Sequence, residues 1–149
     1  MRAVIQRVSR AAVRVGSEVT GSIGHGLLIL VAFQSSDGAQ AMQYIAEKIV
    51  NLRVFEDSEG KMNLSVSDVR GELLIVSQFT LYGDVRKGRR PSYSASAEPV
   101  LAEKFYEEFL AMLRLSGLKV AEGRFKAHME VELVNDGPVT ILLDSDRLF

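Results

Sequence analysis

The sequence predicts an α+β protein in which a mostly antiparallel sheet is covered by two main helices. Three observations carry this. Short apolar stretches in the two-residue period of a strand recur from end to end, two segments follow helical spacing, and no regular strand-helix-strand rhythm joins them. With 149 residues, 47% of them hydrophobic and 25% charged, the chain has the size and balance of one domain spanning 1–149.

Residues 2 to 8 alternate as a half-buried strand, and Ala11 to Val15 and Glu18 to Ile23 continue as short β pieces around Gly16 and Gly21. Leu27 to Phe33 is apolar throughout and bounded by Gly26 and the polar Gln34 to Gly38, the pattern of a strand buried on both faces. From Asp37 onward Met42, Ile45, Ala46, Ile49 and Val50 share one face of an amphipathic helix. Leu52 to Glu56 and Lys61 to Ser65 flank Asp57-Ser58-Glu59-Gly60 and predict a hairpin. Leu73 to Val76 is a second buried strand, running directly into Ser77-Gln78-Phe79-Thr80. Pro99 opens a second helix, with Leu101, Phe105, Phe109 and Leu113 as its apolar stripe and Ser116-Gly117 as its end. Met129, Val131 and Leu133 alternate with Glu130 and Glu132, and Val139 to Leu143 follows, so two strands joined by an Asn135-Asp136-Gly137-Pro138 turn are expected.

Composition narrows the chemistry. Eighteen Lys and Arg against nineteen Asp and Glu give a net charge of -1, which excludes a generally basic nucleic-acid coat protein and confines any RNA contact to a local patch. Without cysteine there is no thiolate nucleophile, disulfide framework or thiolate metal site. The start lacks the long apolar stretch of a secretion signal and Leu27 to Phe33 is too short to cross a bilayer, so a soluble intracellular protein is expected. The two histidines, His25 and His128, stand at no metal-ligand spacing, and Ser77 lacks the Gly-x-Ser-x-Gly elbow of a hydrolase triad. Neither metal nor cofactor is expected. Glu103, Glu107 and Glu108 match the solvated face of the second helix.

Three places remain. Ser77, Gln78 and Thr80 put hydroxyls and an amide where an apolar strand leaves the sheet, which suits a reaction site and equally suits a turn whose backbone those side chains satisfy. Gly137-Pro138 cannot continue a ladder, and X-Pro is the one bond with an accessible cis form. Arg86, Lys87, Arg89 and Arg90 face only Asp84 between residues 84 and 92, a basic patch of phosphate size or a solvated loop.

Taken together, Met1-Arg2-Ala3-Val4-Ile5-Gln6-Arg7-Val8, Lys61-Met62-Asn63-Leu64-Ser65, Ser77-Gln78-Phe79-Thr80-Leu81, Lys87-Gly88-Arg89-Arg90-Pro91-Ser92 and Asn135-Asp136-Gly137-Pro138-Val139-Thr140 span the chain in order. They resemble the signature segments of the D-aminoacyl-tRNA deacylases. The resemblance implies a barrel-like core under the two helices and a cytoplasmic homodimer. Its members hydrolyse the ester joining a D-amino acid, or glycine, to the 3' adenosine of tRNA, without metal or organic cofactor, and no membrane or DNA partner is expected.

The same resemblance implies roles residue by residue. Gly137 and Pro138 are expected to form a cis pair that enters the partner subunit's site. There their carbonyls accept hydrogen bonds from the substrate ammonium and fill the space an L side chain needs, so chirality is tested by exclusion and glycine passes. Arg7 is expected to brace that loop. Gln78 and Thr80 are expected to line the ester, with N–H groups around Phe79 and Thr80 for the oxyanion and Ser77 shaping the loop. No base adjoins Thr80, which favours water as the attacking group, helped by the terminal ribose hydroxyl. Phe125 and Met129 match positions beside the terminal adenine, and Arg86, Lys87, Arg89 and Arg90 would meet tRNA phosphates. Gly83-Asp84-Val85-Arg86 and Lys126-Ala127-His128 depart from the usual pattern and are expected on the tRNA-facing rim. Two other readings stay open: a non-catalytic dimer that shelters tRNA ends, and a small-molecule esterase or amidase on the same scaffold.

Overall fold

The computed structural model describes residues 1–149. At its centre is β3 (Gly26–Ala32), antiparallel to β1 (Arg2–Val15) on one side and parallel to β6 (Glu72–Ser77) on the other. β3 is apolar along its length because both its faces are covered. Leu27, Ile29 and Val31 face a helix-covered core with Ile5, Leu73, Ile75 and Phe109, while Leu28 faces a second cluster with Val8, Val13, Leu74 and Val76. Gly26 stands where the two strands start side by side, and a Cβ there would lie 1.9 Å from the Glu72 carbonyl oxygen.

β2 (Glu18–Ile23) extends the sheet beyond β1, and β7 (Val120–Glu122) beyond β6 in parallel register. The last strand, β8 (Glu130–Asp144), pairs with β1 along nearly its whole length, bending the sheet toward a barrel. A separate small hairpin, β4 (Phe55–Glu56) and β5 (Met62–Leu64), occupies the predicted place. The sheet is therefore mixed: the three ladders of β1 are antiparallel, whereas β3, β6 and β7 are parallel. The parallel half arises because α1 (Ala39–Asn51) and α2 (Pro99–Arg114) lie within the crossovers.

Two sequence expectations are corrected. The pieces 2 to 8 and 11 to 15 form one continuous strand, because β8 pairs with both of them on one edge while β3 and then β2 take the other. The segments on either side of Gly137-Pro138 are also one strand rather than two joined by a turn. β1 advances from Val8 to Gln6 while β8 goes from Asn135 to Thr140, so residues 136–139 leave the ladder as a bulge opposite Arg7 and both flanks stay paired. The Gly137–Pro138 peptide within it is cis.

α2 begins with Pro99 in its first turn and buries Phe105, Tyr106, Phe109, Leu110 and Leu113 on the sheet. Phe33 meets the rings of Phe105 and Phe109 at 5.8 and 6.3 Å, and the Tyr106 hydroxyl donates to the Ile75 carbonyl at 2.9 Å. That bond fixes the helix over the strand that ends in Ser77.

Candidate active site

β6 leaves the sheet at Ser77, and the Gln78 N–H still donates to the Val31 carbonyl at 2.7 Å, so Gln78 is tied to β3 when the chain turns. A 3-10 turn, Phe79–Tyr82, follows, with Leu81 N–H on the Gln78 carbonyl at 3.1 Å and Gly83 N–H on the Thr80 carbonyl at 2.9 Å. The N–H groups of Phe79 and Thr80 open that turn, where a helix offers its donors no acceptor, and no side chain accepts from them. Two adjacent donors are thus left for a ligand. Arg2 secures the far side, donating to Asp144 at 3.0 Å and to the Leu81 carbonyl at 3.1 Å with its guanidinium over the Tyr82 ring.

A cavity of about 560 Å³ lies against this turn. Val31, Phe33, Val76, Phe125, Met129 and Val131 form an apolar wall, while Ser77, Gln78, Tyr93, Ser96, Glu98 and His128 are polar at its edge. Phe79 is 58% exposed at the mouth, its ring edge-on to Tyr93 at 5.1 Å. The Ser96 hydroxyl donates to the Phe79 carbonyl at 3.0 Å, orienting the Phe79-Thr80 peptide. Phe125 is half-buried between the cavity and Tyr106, whose ring stands 5.8 Å away. Burial pushes the Tyr106 phenol well above its ordinary range, so it remains a hydrogen-bond donor to Ile75.

Ser77, Gln78, Phe79, Phe125 and Met129 come together on the cavity, and Thr80 stands beside them with its hydroxyl accepting from the Gln78 carboxamide. That partner is a neutral amide, which cannot take the hydroxyl proton as a base would. The arrangement suits holding an ester and its developing negative charge rather than raising a covalent nucleophile.

The remaining predicted residues lie elsewhere in the chain. Arg7 is buried and lines a smaller depression with His25, Phe55, Glu56 and Asp136. Gly137 and Pro138 are exposed and do not line the large cavity. Arg86, Lys87, Arg89 and Arg90 sit on an exposed loop closed by an Asp84–Ser92 bridge. Within it Asp84 is already occupied: Arg86 donates to both its oxygens at 2.9 and 2.7 Å, holding the carboxyl down at about 2.

Tyr93, Ser96 and Glu98 are cavity residues that sequence reasoning did not single out. The segment before Pro99 announces a helix start and no chemistry, whereas Lys126, Ala127 and the exposed His128, the departing segment before Met129, also line the cavity. The other histidine, His25, packs edge-on to Phe55 at 5.0 Å. No helix is long and apolar enough to cross a membrane.

Fold and site together define an α+β protein with a strand-end cavity that sets an apolar wall beside the polar Ser77 and Gln78. A family model described as D-Tyr-tRNA(Tyr) deacylase matches residues 4–144, and the chain belongs to that family. A D-aminoacyl-tRNA deacylase of Thermosipho africanus is 60% identical over 149 residues, the whole of both chains. Among solved structures, a c-Myc DNA unwinding element binding protein is similar with a TM-score of 0.91 and 44% identity, over 97% of this chain and 98% of that one. A structure described as a probable eukaryotic D-amino acid tRNA deacylase shares the fold, with a TM-score of 0.82 at 19% identity over 95% and 97% of the two chains.

Proposed function

We propose that this protein hydrolyses the ester of D-aminoacyl-tRNA, and of glycyl-tRNA, as a homodimer in the cytoplasm. The observation that carries the reading is the pair of N–H donors at Phe79 and Thr80 without an acceptor in the chain, on a turn whose Gln78 and Phe79 line an apolar cavity of about 560 Å³. The terminal adenine stacks on Phe125 and Met129, an aromatic ring and a thioether in the apolar lining of the cavity. The ester carbonyl points at the two N–H groups.

Water attacks that carbonyl carbon, helped by the vicinal ribose hydroxyl. The negative charge that develops on the carbonyl oxygen is held by the amides. Collapse of the tetrahedral intermediate breaks the bond to the ribose oxygen, which takes a proton as tRNA leaves, and the D-amino acid departs as its carboxylate.

Stereochemistry is tested by the partner subunit's Gly137-Pro138 segment. In one chain that pair is exposed, braced from behind by Arg7, and away from the cavity, which suits a group working in another chain's site. Its carbonyls receive the substrate ammonium and occupy the position of an L side chain, so any D side chain and glycine are admitted. Lys87, Arg89 and Arg90 meet tRNA phosphates at the rim.

Incubation with D-tyrosyl-tRNA and L-tyrosyl-tRNA tests the reading. Release of D-tyrosine far above L-tyrosine is expected. Equal rates would contradict chiral selection, and binding without ester cleavage would leave a tRNA-sheltering dimer in its place.

A further inference from the structure

The bulge that carries Gly137 and Pro138 is closed at its neck by a side chain that the proposed chemistry does not use. Asn135 is the last residue paired with β1 before the bulge, opposite Val8, and pairing resumes at Thr140 opposite Gln6. The Asn135 carboxamide oxygen accepts the Val139 N–H at 2.9 Å, and its nitrogen donates to the Thr140 hydroxyl at 3.1 Å. The same hydroxyl accepts from the Gln6 carboxamide of β1 at 3.3 Å. One side chain thus spans the gap where the ladder is interrupted and is anchored to the neighbouring strand through Thr140.

We infer that Asn135 is a positioning residue for stereochemical selection, its carboxamide closing the neck of the bulge and thereby setting how the Gly137 and Pro138 carbonyls are presented. The inference rests on the reading of that pair as the partner's chiral filter. The geometry requires an acceptor and a donor on one short side chain: the acceptor satisfies an N–H that the bulge has removed from the ladder, and the donor ties the exit of the bulge to its entrance. Asparagine has both. Arg7 holds the entrance from the other side, donating to the Asp136 carbonyl at 2.9 Å. With Asn135 cut back, the exit at Val139 has no such tie, and the segment between is free to tilt.

The test is the ratio of kcat/KM for D-tyrosyl-tRNA to that for L-tyrosyl-tRNA. Loss of folded protein scales both rates alike and leaves the ratio unmoved. Asn135→Ala is expected to lower the ratio about tenfold, the factor that corresponds to one lost hydrogen bond. Thr140→Val, nearly isosteric, removes the acceptor for the Asn135 nitrogen and is expected to lower it severalfold. Asn135→Asp keeps an acceptor for Val139 and lets the Thr140 hydroxyl donate instead, so it should retain most of the selectivity. Asn51→Ala, at the exposed end of α1, should change nothing. A ratio within about twofold of the parent in both Asn135→Ala and Thr140→Val, while Pro138→Ala lowers it, would overturn the role of Asn135. A parent protein without D preference would instead overturn the filter itself.

Discussion

Arg7 Nε donates a hydrogen bond to the carbonyl oxygen of Asp136 at 2.9 Å, one residue before Gly137, while its Nη1 donates to the Val54 carbonyl at 2.6 Å. The guanidinium is buried, with Glu56 and Asp136 carboxylates 3.9 and 4.0 Å away. It joins the bulge of β8 to the segment entering β4 with fixed donor directions that a lysine lacks. Arg7→Met should lower stability in urea by about 1–3 kcal/mol, because two carbonyls lose a charged donor. It should also reduce the D over L rate ratio. Arg7→Lys should recover part of the stability and less of the selectivity.

Gly137 has φ at +131°, and a Cβ there would stand 2.8 Å from Arg7 Nη2 and 2.9 Å from Val139 Cγ2. Gly137→Ala is therefore strained in backbone and crowded by the brace at once. A loss of about 1–3 kcal/mol is expected by denaturant titration, and the D over L ratio should fall because the pair can no longer sit as it does.

Tyr106 supplies the contrast. Its hydroxyl bonds the Ile75 carbonyl behind the cavity wall, and burial keeps it protonated. Tyr106→Phe should cost about 1 kcal/mol of stability with the D over L ratio unchanged. A changed ratio would mean that selection reaches through the core rather than across the subunits.

The basic loop should act through three cations, not four. Asp84 is held at about 2 by the Arg86 hydrogen bonds. A depressed carboxyl stabilises above its unfolded value, about 3.9, and loses that contribution as pH falls through the folded one. Between pH 5 and 8 the Asp84–Arg86 pair is consequently intact. Arg89→Ala and Arg90→Ala should each flatten the logarithmic salt dependence of kcat/KM by ~0.7 if the cation meets a phosphate. Arg86→Ala should flatten it less, and equal slopes in all three would contradict the pairing.

Much of this architecture is legible in the residues themselves. The uninterrupted Leu27 to Phe33 run predicts a strand covered on both faces, and Pro99 with Phe105, Phe109 and Leu113 predicts α2. Both signals are local. The parallel pairing of β3, β6 and β7 is not, because β7 is three residues, Val120–Glu122, without periodicity, and its place depends on Leu73, Leu74 and Ile75 far away in sequence. The β8 bulge escaped for a related reason: Gly137-Pro138 looks like a turn until β1 is known to pair on both sides of it. In the cavity, Ser77, Gln78 and Thr80 are visible as polar residues ending an apolar strand. Tyr93 and Ser96 carry no such mark, since only the approach of the α2 entrance brings them to the cavity.

The composite site is tested most directly by the D over L rate ratio of mixed dimers. One protomer carries Thr80→Ala, with a disabled cavity and an intact Gly137-Pro138 segment; the other carries Gly137→Ala, with the reverse. In the mixed dimer the one working cavity faces an intact segment from the other chain, so mixing should restore the D over L ratio toward that of the parent. If mixed dimers form, as native mass spectrometry would report, and the ratio stays that of Gly137→Ala alone, each segment serves its own chain and the account is contradicted.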